Sequence, residues 1–148
     1  MKKIILIIAV LIIFIKPLYA EIFIDIDIIC EIESAWNEKA KSNMKALGLA
    51  QITPICLLEY NQRNRTKYKL NDLYNPQINM HIASWYINER IPAFLKYFKI
   101  EDTIINRLIC YNAGFTRILK YQKRKWLPEQ TRKYIEKYYK FKRSTLYA

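Results

Sequence analysis

Glycine occurs only twice in these 148 residues, at Gly48 and Gly114, and proline five times. β-Sandwiches and barrels need a turn roughly every 8–12 residues, and glycine supplies the left-handed backbone that many of those turns demand. This chain lacks the means to build them. Neither glycine stands in a GxGxxG or GxxxxGK[ST] pattern, so a glycine-rich phosphate cradle is excluded. Apolar residues make up 52% of the chain and charged residues 26%, enough apolar surface for one folded domain. One histidine and three cysteines without a CxxC pair leave no structural zinc site, and no metal or cofactor is expected.

The chain opens on Met1-Lys2-Lys3 and then runs through 12 consecutive apolar residues, Ile4 to Ile15, before Lys16-Pro17 and Leu18-Tyr19-Ala20. Such a run is short of the ~20 residues that a membrane span requires. It has the layout of a secretory signal peptide, cleaved after Ala20, with residues 21–148 as the exported domain. It would serve as a membrane anchor only if cleavage fails. Removing its three lysines takes the net charge from +12 to +9. Export implies an oxidising compartment. Cys30, Cys56 and Cys110 allow at most one internal disulfide, Cys30–Cys110 among the candidates; three thiols used as small apolar residues is the equal alternative.

Residues 22–28 alternate apolar and polar with period two, a strand signal taken alone. The rest has helical spacing. Ile104, Ile105, Leu108 and Ile109 share one face, as do Thr131, Tyr134, Ile135, Tyr138 and Tyr139. A third stripe, Ile78, Ile82, Trp85 and Tyr86, is expected to close near Ile91-Pro92, because proline disfavours helix at the residue before it. Asp102 and Asn79 are candidate helix caps. The expectation is a single, mainly α-helical domain.

Four segments carry a family resemblance. The first is Glu33-Ser34, Asn37, Ala40-Lys41-Ser42 and Gly48-Leu49-Ala50-Gln51-Ile52. The second runs from Asn79 through Tyr86-Ile87. The third is Tyr111-Asn112-Ala113-Gly114, and the fourth is Pro128 with Thr131 and Tyr134-Ile135. In this order they resemble the blocks of the soluble lytic transglycosylases, and both glycines fall inside them. The resemblance implies a lysozyme-like helical fold with a substrate cleft. It also implies cleavage of the β-1,4 bond between N-acetylmuramic acid and N-acetylglucosamine in peptidoglycan. No water is added: the muramic C6 hydroxyl attacks C1 and leaves a 1,6-anhydro end.

Breaking a glycosidic bond requires a proton on the leaving oxygen, hence a carboxylic acid that stays protonated near neutral pH in apolar surroundings. By match, Glu33 is that acid and later the base that takes the C6 hydroxyl proton. Glu31, two residues away, does not share its helix face and is expected to point to solvent. Glu59 and Asp72, among polar neighbours, are expected to be solvated. Ser34, Ser42, Gln51, Tyr111, Asn112 and Gln130 stand at substrate-facing positions of the family, and Gly48 and Gly114 at structural ones. Gly48 is expected to permit a turn or a close backbone approach. Ala50 replaces a usual Met, Gln130 a usual Glu, Lys45 a common Gly, and Phe115-Thr116 a common Pro-Gly. His81 is expected to be a packed or surface imidazole.

Residues 117–143 hold 11 Lys/Arg against Glu129 and Glu136, interleaved with Tyr121, Trp126, Tyr134, Tyr138, Tyr139 and Phe141. This is also a nucleic-acid composition, but export argues for no nucleic acid and for an anionic wall, in the periplasm or cell envelope. The implied partner is the peptidoglycan glycan strand, together with a secretion, conjugation or pilus assembly that needs the wall opened. Two other readings stand beside it: a wall-binding or assembly module without catalysis, and a lysozyme-type hydrolase that uses water.

Overall fold

The computed structural model describes residues 22–146; the signal-peptide expectation for residues 1–20 lies outside them. Seven α-helices follow in order. They are α1 (Ile26–Ser34), α2 (Pro54–Asn64), α3 (Pro76–Trp85), α4 (Ile91–Tyr97), α5 (Ile104–Ala113), α6 (Phe115–Arg124) and α7 (Glu129–Leu146). A 3-10 turn, Leu70–Tyr74, precedes α3, and a π-helical turn, Tyr86–Arg90, joins α3 to α4. The described residues contain no strand, only isolated bridges from Leu47 to Lys41 and to Ile52.

The helix starts follow local chemistry. Thr53, Asn75 and Thr103 each accept a hydrogen bond from a backbone N–H in the first turn of α2, α3 and α5. Pro54 and Pro76 occupy the first turn of α2 and α3, where their missing N–H costs nothing. The caps expected at Asn79 and Asp102 are therefore elsewhere. Asp102 instead forms a two-pronged pair with Arg107, at 2.7 Å on each oxygen, and Arg107 is only 4% exposed.

Residues 22–28 do not form a strand. Asp25 accepts from the Asp27 N–H and starts α1, so the alternation comes from a cap followed by a helix. Ile28, Ile29 and Cys30 turn inward. The short extended piece before α1 is held by Asn88, which accepts from Ile24 N–H and donates to Ile24 carbonyl.

The helix expected to stop before Pro92 continues instead. Its π turn makes the Ile91 N–H donate to the Tyr86 carbonyl, five residues back, and the widened turn gives the proline ring room. Helices α1 and α7 pack together, α1 also against α3, and α5 against α4, α6 and α7. The helical stripes predicted from spacing face this core: Ile82 and Trp85, Leu108 and Ile109, Tyr134 and Tyr138 are buried. Cys30, Cys56 and Cys110 are buried and free, so no bridge joins Cys30 to Cys110. Burial pushes each thiol up to about 12, which suits packing rather than reactivity.

Candidate active site

The segment 35–53, between α1 and α2, builds one wall of a cleft without regular structure of its own. Helix α1 ends because Ala35 and Trp36 turn left-handed, at φ 49° and 62°. Non-glycine residues in that region are uncommon and cost about 1 kcal/mol or more each. The strain lies immediately after Glu33 and Ser34. Beyond it the chain doubles back on itself: Leu47 and Ile52 exchange backbone hydrogen bonds at 3.0 Å, and Gly48 N–H donates to Ala40 carbonyl.

Asn79 holds this segment in place. It is fully buried on α3, its Oδ1 accepts from Ala50 N–H, and its Nδ2 donates to the Leu47 and Leu73 carbonyls, all at 2.8 Å. Gly48 is what lets the amide in. A Cβ there would lie 2.3 Å from Asn79 Nδ2 and from Leu73 O, and φ is +75°. The expected close approach is therefore real. Gly114, between α5 and α6, differs: its φ of +80° needs glycine, but a Cβ would meet nothing within 4 Å.

Glu33 sits at the end of α1, half-buried, and lines two cavities of about 630 Å³ and 490 Å³. Ser34, Gln51, Glu31, Lys41, Lys137 and Lys140 contribute to the larger. Asn112, Gln130, Glu129, Lys133 and Tyr134 contribute to the smaller. Burial raises the Glu33 carboxyl from 4.5 to about 7, against the opposing pull of the Tyr134 hydroxyl and the Lys137 ammonium. Among the described residues it has no ion-pair partner.

Of the residues expected to face substrate, Ser34, Gln51, Asn112 and Gln130 line these cavities. Ser34 Oγ donates back to Cys30 carbonyl, and Gln51 Nε2 donates to Gly48 carbonyl. Ser42 and Tyr111 line neither. Ser42 Oγ accepts from Ala46 N–H and closes a turn. Tyr111 donates its hydroxyl to Ala50 carbonyl at 2.8 Å and packs edge-on to Tyr86, bracing the wall from α5. Burial and the nearby Glu33 charge push its hydroxyl well above its usual range.

Tyr134 was visible in the sequence only as a core stripe residue and a motif position. Its hydroxyl is a buried polar atom without a hydrogen-bond partner among the described residues, and it faces Glu33. The basic character of α7 was legible in the sequence, but not that Lys133, Lys137 and Lys140 line the cavities beside Glu33. Glu31 does not simply point to solvent: it is half-buried and lines the larger cavity. Glu59 is not merely solvated either, since Arg63 and Arg90 both pair with it. Asp72 accepts from Lys69 N–H at the 3-10 turn. His81 is exposed on α3, edge-on to Tyr60.

Comparison with known proteins locates this arrangement. The transglycosylase SLT domain family matches residues 26–135. Over 103 residues the chain is 33% identical to the membrane-bound lytic murein transglycosylase E of Buchnera aphidicola subsp. Baizongia pistaciae, covering 63% of this chain and 45% of that protein. The fold is similar to the 70 kDa soluble lytic transglycosylase of Escherichia coli, with a TM-score of 0.57 and 27% identity. That match covers 66% of this chain and 15% of that one. The chain thus spans less than half the length of either relative.

Proposed function

Because the chain belongs to the transglycosylase SLT domain family, we propose that it is a peptidoglycan lytic transglycosylase with Glu33 as its acid and base. The observation that carries this reading is the Glu33 carboxyl itself. It is raised to about 7 by burial and stands where two cavities meet. Such a group holds its proton at a pH where an exposed glutamate has lost it.

In the first step Glu33 protonates the glycosidic oxygen, and the bond from muramic C1 to that oxygen breaks. N-acetylglucosamine leaves with the proton. The muramic C6 hydroxyl then bonds to C1, and Glu33, now a carboxylate, takes the hydroxyl proton and returns to its starting state. Tyr134 and Lys137 favour the ionised form between the two steps, so the site stabilises both states of one carboxyl. Asn112 and Gln130 on one side of Glu33, and Ser34 and Gln51 on the other, supply polar contacts for successive sugars.

Most glycosidases that use water pair two carboxylates. Glu129 is engaged with Lys133 at 2.7 Å. Glu31 lines the larger cavity and is the observation that favours hydrolysis as the second reading. Residues 1–20 would direct the chain to the envelope, where its substrate lies. Among the described residues no helix is long and apolar enough to cross a membrane.

Product analysis tests the reaction. The purified chain is expected to solubilise peptidoglycan and release 1,6-anhydro-muropeptides, identified by mass spectrometry. Reducing ends would mean hydrolysis by water. Binding to the wall without any cleavage would mean a non-catalytic module.

A further inference from the structure

Resting on that reading of the site, we propose that Lys41, Lys137 and Lys140 make the cleft selective for glycan strands whose stem peptides carry free carboxylates. Four lysines line the two cavities that meet at Glu33: Lys41, Lys137 and Lys140 the larger, Lys133 and Lys137 the smaller. Lys133, Lys137 and Lys140 recur at i, i+4 and i+7, one face of α7. Lys41 comes from the opposite wall, next to the bridge that pairs it with Leu47.

The acids of the lining do not balance this charge. Glu129 is engaged by Lys133. Glu33 is held largely in its neutral form below about pH 7. In the larger cavity that leaves Glu31 as the one other carboxylate against three ammonium groups. None of Lys41, Lys137 and Lys140 is in an ion pair with an acid among the described residues.

An uncharged disaccharide offers hydroxyls and acetamides and makes no demand for three cations. The stem peptides on muramic acid bring carboxylates at several positions on a mobile chain. Lysine, a point charge on a flexible stem, suits carboxylates of variable placement better than the fixed fork of arginine. Stems whose carboxyl groups are amidated lose this attraction while keeping the same glycan.

The test uses one batch of peptidoglycan sacculi, half of it treated with carbodiimide and ammonia to convert free carboxyls to amides, then washed. The purified full chain is compared on both for turbidity loss and for co-sedimentation. Wild type is expected to cut native sacculi about three- to tenfold faster than amidated ones, the scale of two or three exposed charge pairs. The advantage should shrink with added salt. The Lys41→Met/Lys140→Met variant, which alters two exposed residues and spares Lys137 beside Glu33, is expected to bring the ratio below about twofold.

Equal rates on both substrates for wild type, or an undiminished ratio in the variant, would overturn the proposal. Co-sedimentation separates this from failure of the reaction itself. A chain that cuts neither substrate but binds native sacculi better, through these lysines, keeps the carboxylate selectivity and loses the enzyme assignment. Equal binding by a chain that cuts neither would end the carboxylate assignment.

Discussion

Glu33 and Glu59 are both half-buried helical glutamates in one small domain, yet their company differs. Glu59, midway along α2, lies between Arg63 and Arg90, and Arg90 in turn sits 4.9 Å over the Phe115 ring. Two guanidiniums pair with that carboxylate and make it a brace between α2 and the π-helical turn. Glu33, at the end of α1, has apolar packing, a tyrosine hydroxyl and one ammonium group near it, and its proton affinity rises. Burial without an ion pair raises a carboxyl's proton affinity, whereas paired guanidiniums give the same residue type a bracing role.

Substitution to glutamine should separate the two roles. The largest expected effect is on activity. Glu33→Gln should lower the release of anhydro-muropeptides by roughly 10²–10⁴-fold, the usual worth of a positioned acid–base group. A Glu33→Gln protein as active as wild type would remove Glu33 from the chemistry.

The next effect is on stability and carries opposite signs at the two sites. The Glu33 carboxyl is raised in the folded chain, so between about pH 4.5 and 7 the folded state holds a proton that the unfolded chain has released. Stability therefore falls as pH rises through that window and levels off above it. Glu33→Gln should relieve this cost, raising stability by up to about 3 kcal/mol at pH 8 and by almost nothing at pH 4. Glu59→Gln should instead cost stability, about 1–2 kcal/mol at pH 8, because Arg90 is left without its partner. Thermal denaturation at the two pH values measures both.

The smallest effect sharpens the environment of Glu33 rather than its identity. Tyr134→Phe removes a hydroxyl that favours the carboxylate, so the Glu33 proton is held more tightly. The alkaline fall of kcat/KM, expected near pH 7 in wild type, should move up by about half a pH unit. A variant whose profile does not move would make Tyr134 a packing residue only.

Much of this could be read from residue order. The stripes through Ile82, Leu108 and Tyr138 placed the core, and the position of Glu33 in its block singled out the carboxyl that lines both cavities. The misreadings came from residues whose role depends on a distant partner. Asp25 looked like part of an alternating strand because a cap and a helix start can mimic period two over seven residues. Pro92 looked like a stop because the π turn that accommodates it has no simple sequence signal. Asn79 looked like a cap, although its partners are 29 and 32 residues earlier in the chain and 6 residues earlier at Leu73. Tyr134 and Lys137 reach Glu33 only because α7 folds back against α1, a contact about 100 residues apart that local spacing cannot express.

The hold that Asn79 and Tyr111 exert on the segment 35–53 also sets the order in which this molecule becomes competent. The buried amide on α3 and the hydroxyl on α5 both reach Ala50, across 29 and 61 residues. That wall of the cleft has no helix or sheet to nucleate it, so its ordering must await the docking of α3 and α5. A partly folded chain can contain an intact α1 and still have no second wall opposite Glu33. On the proposed reading, the acid would have no complete cleft to work in until the fold is finished.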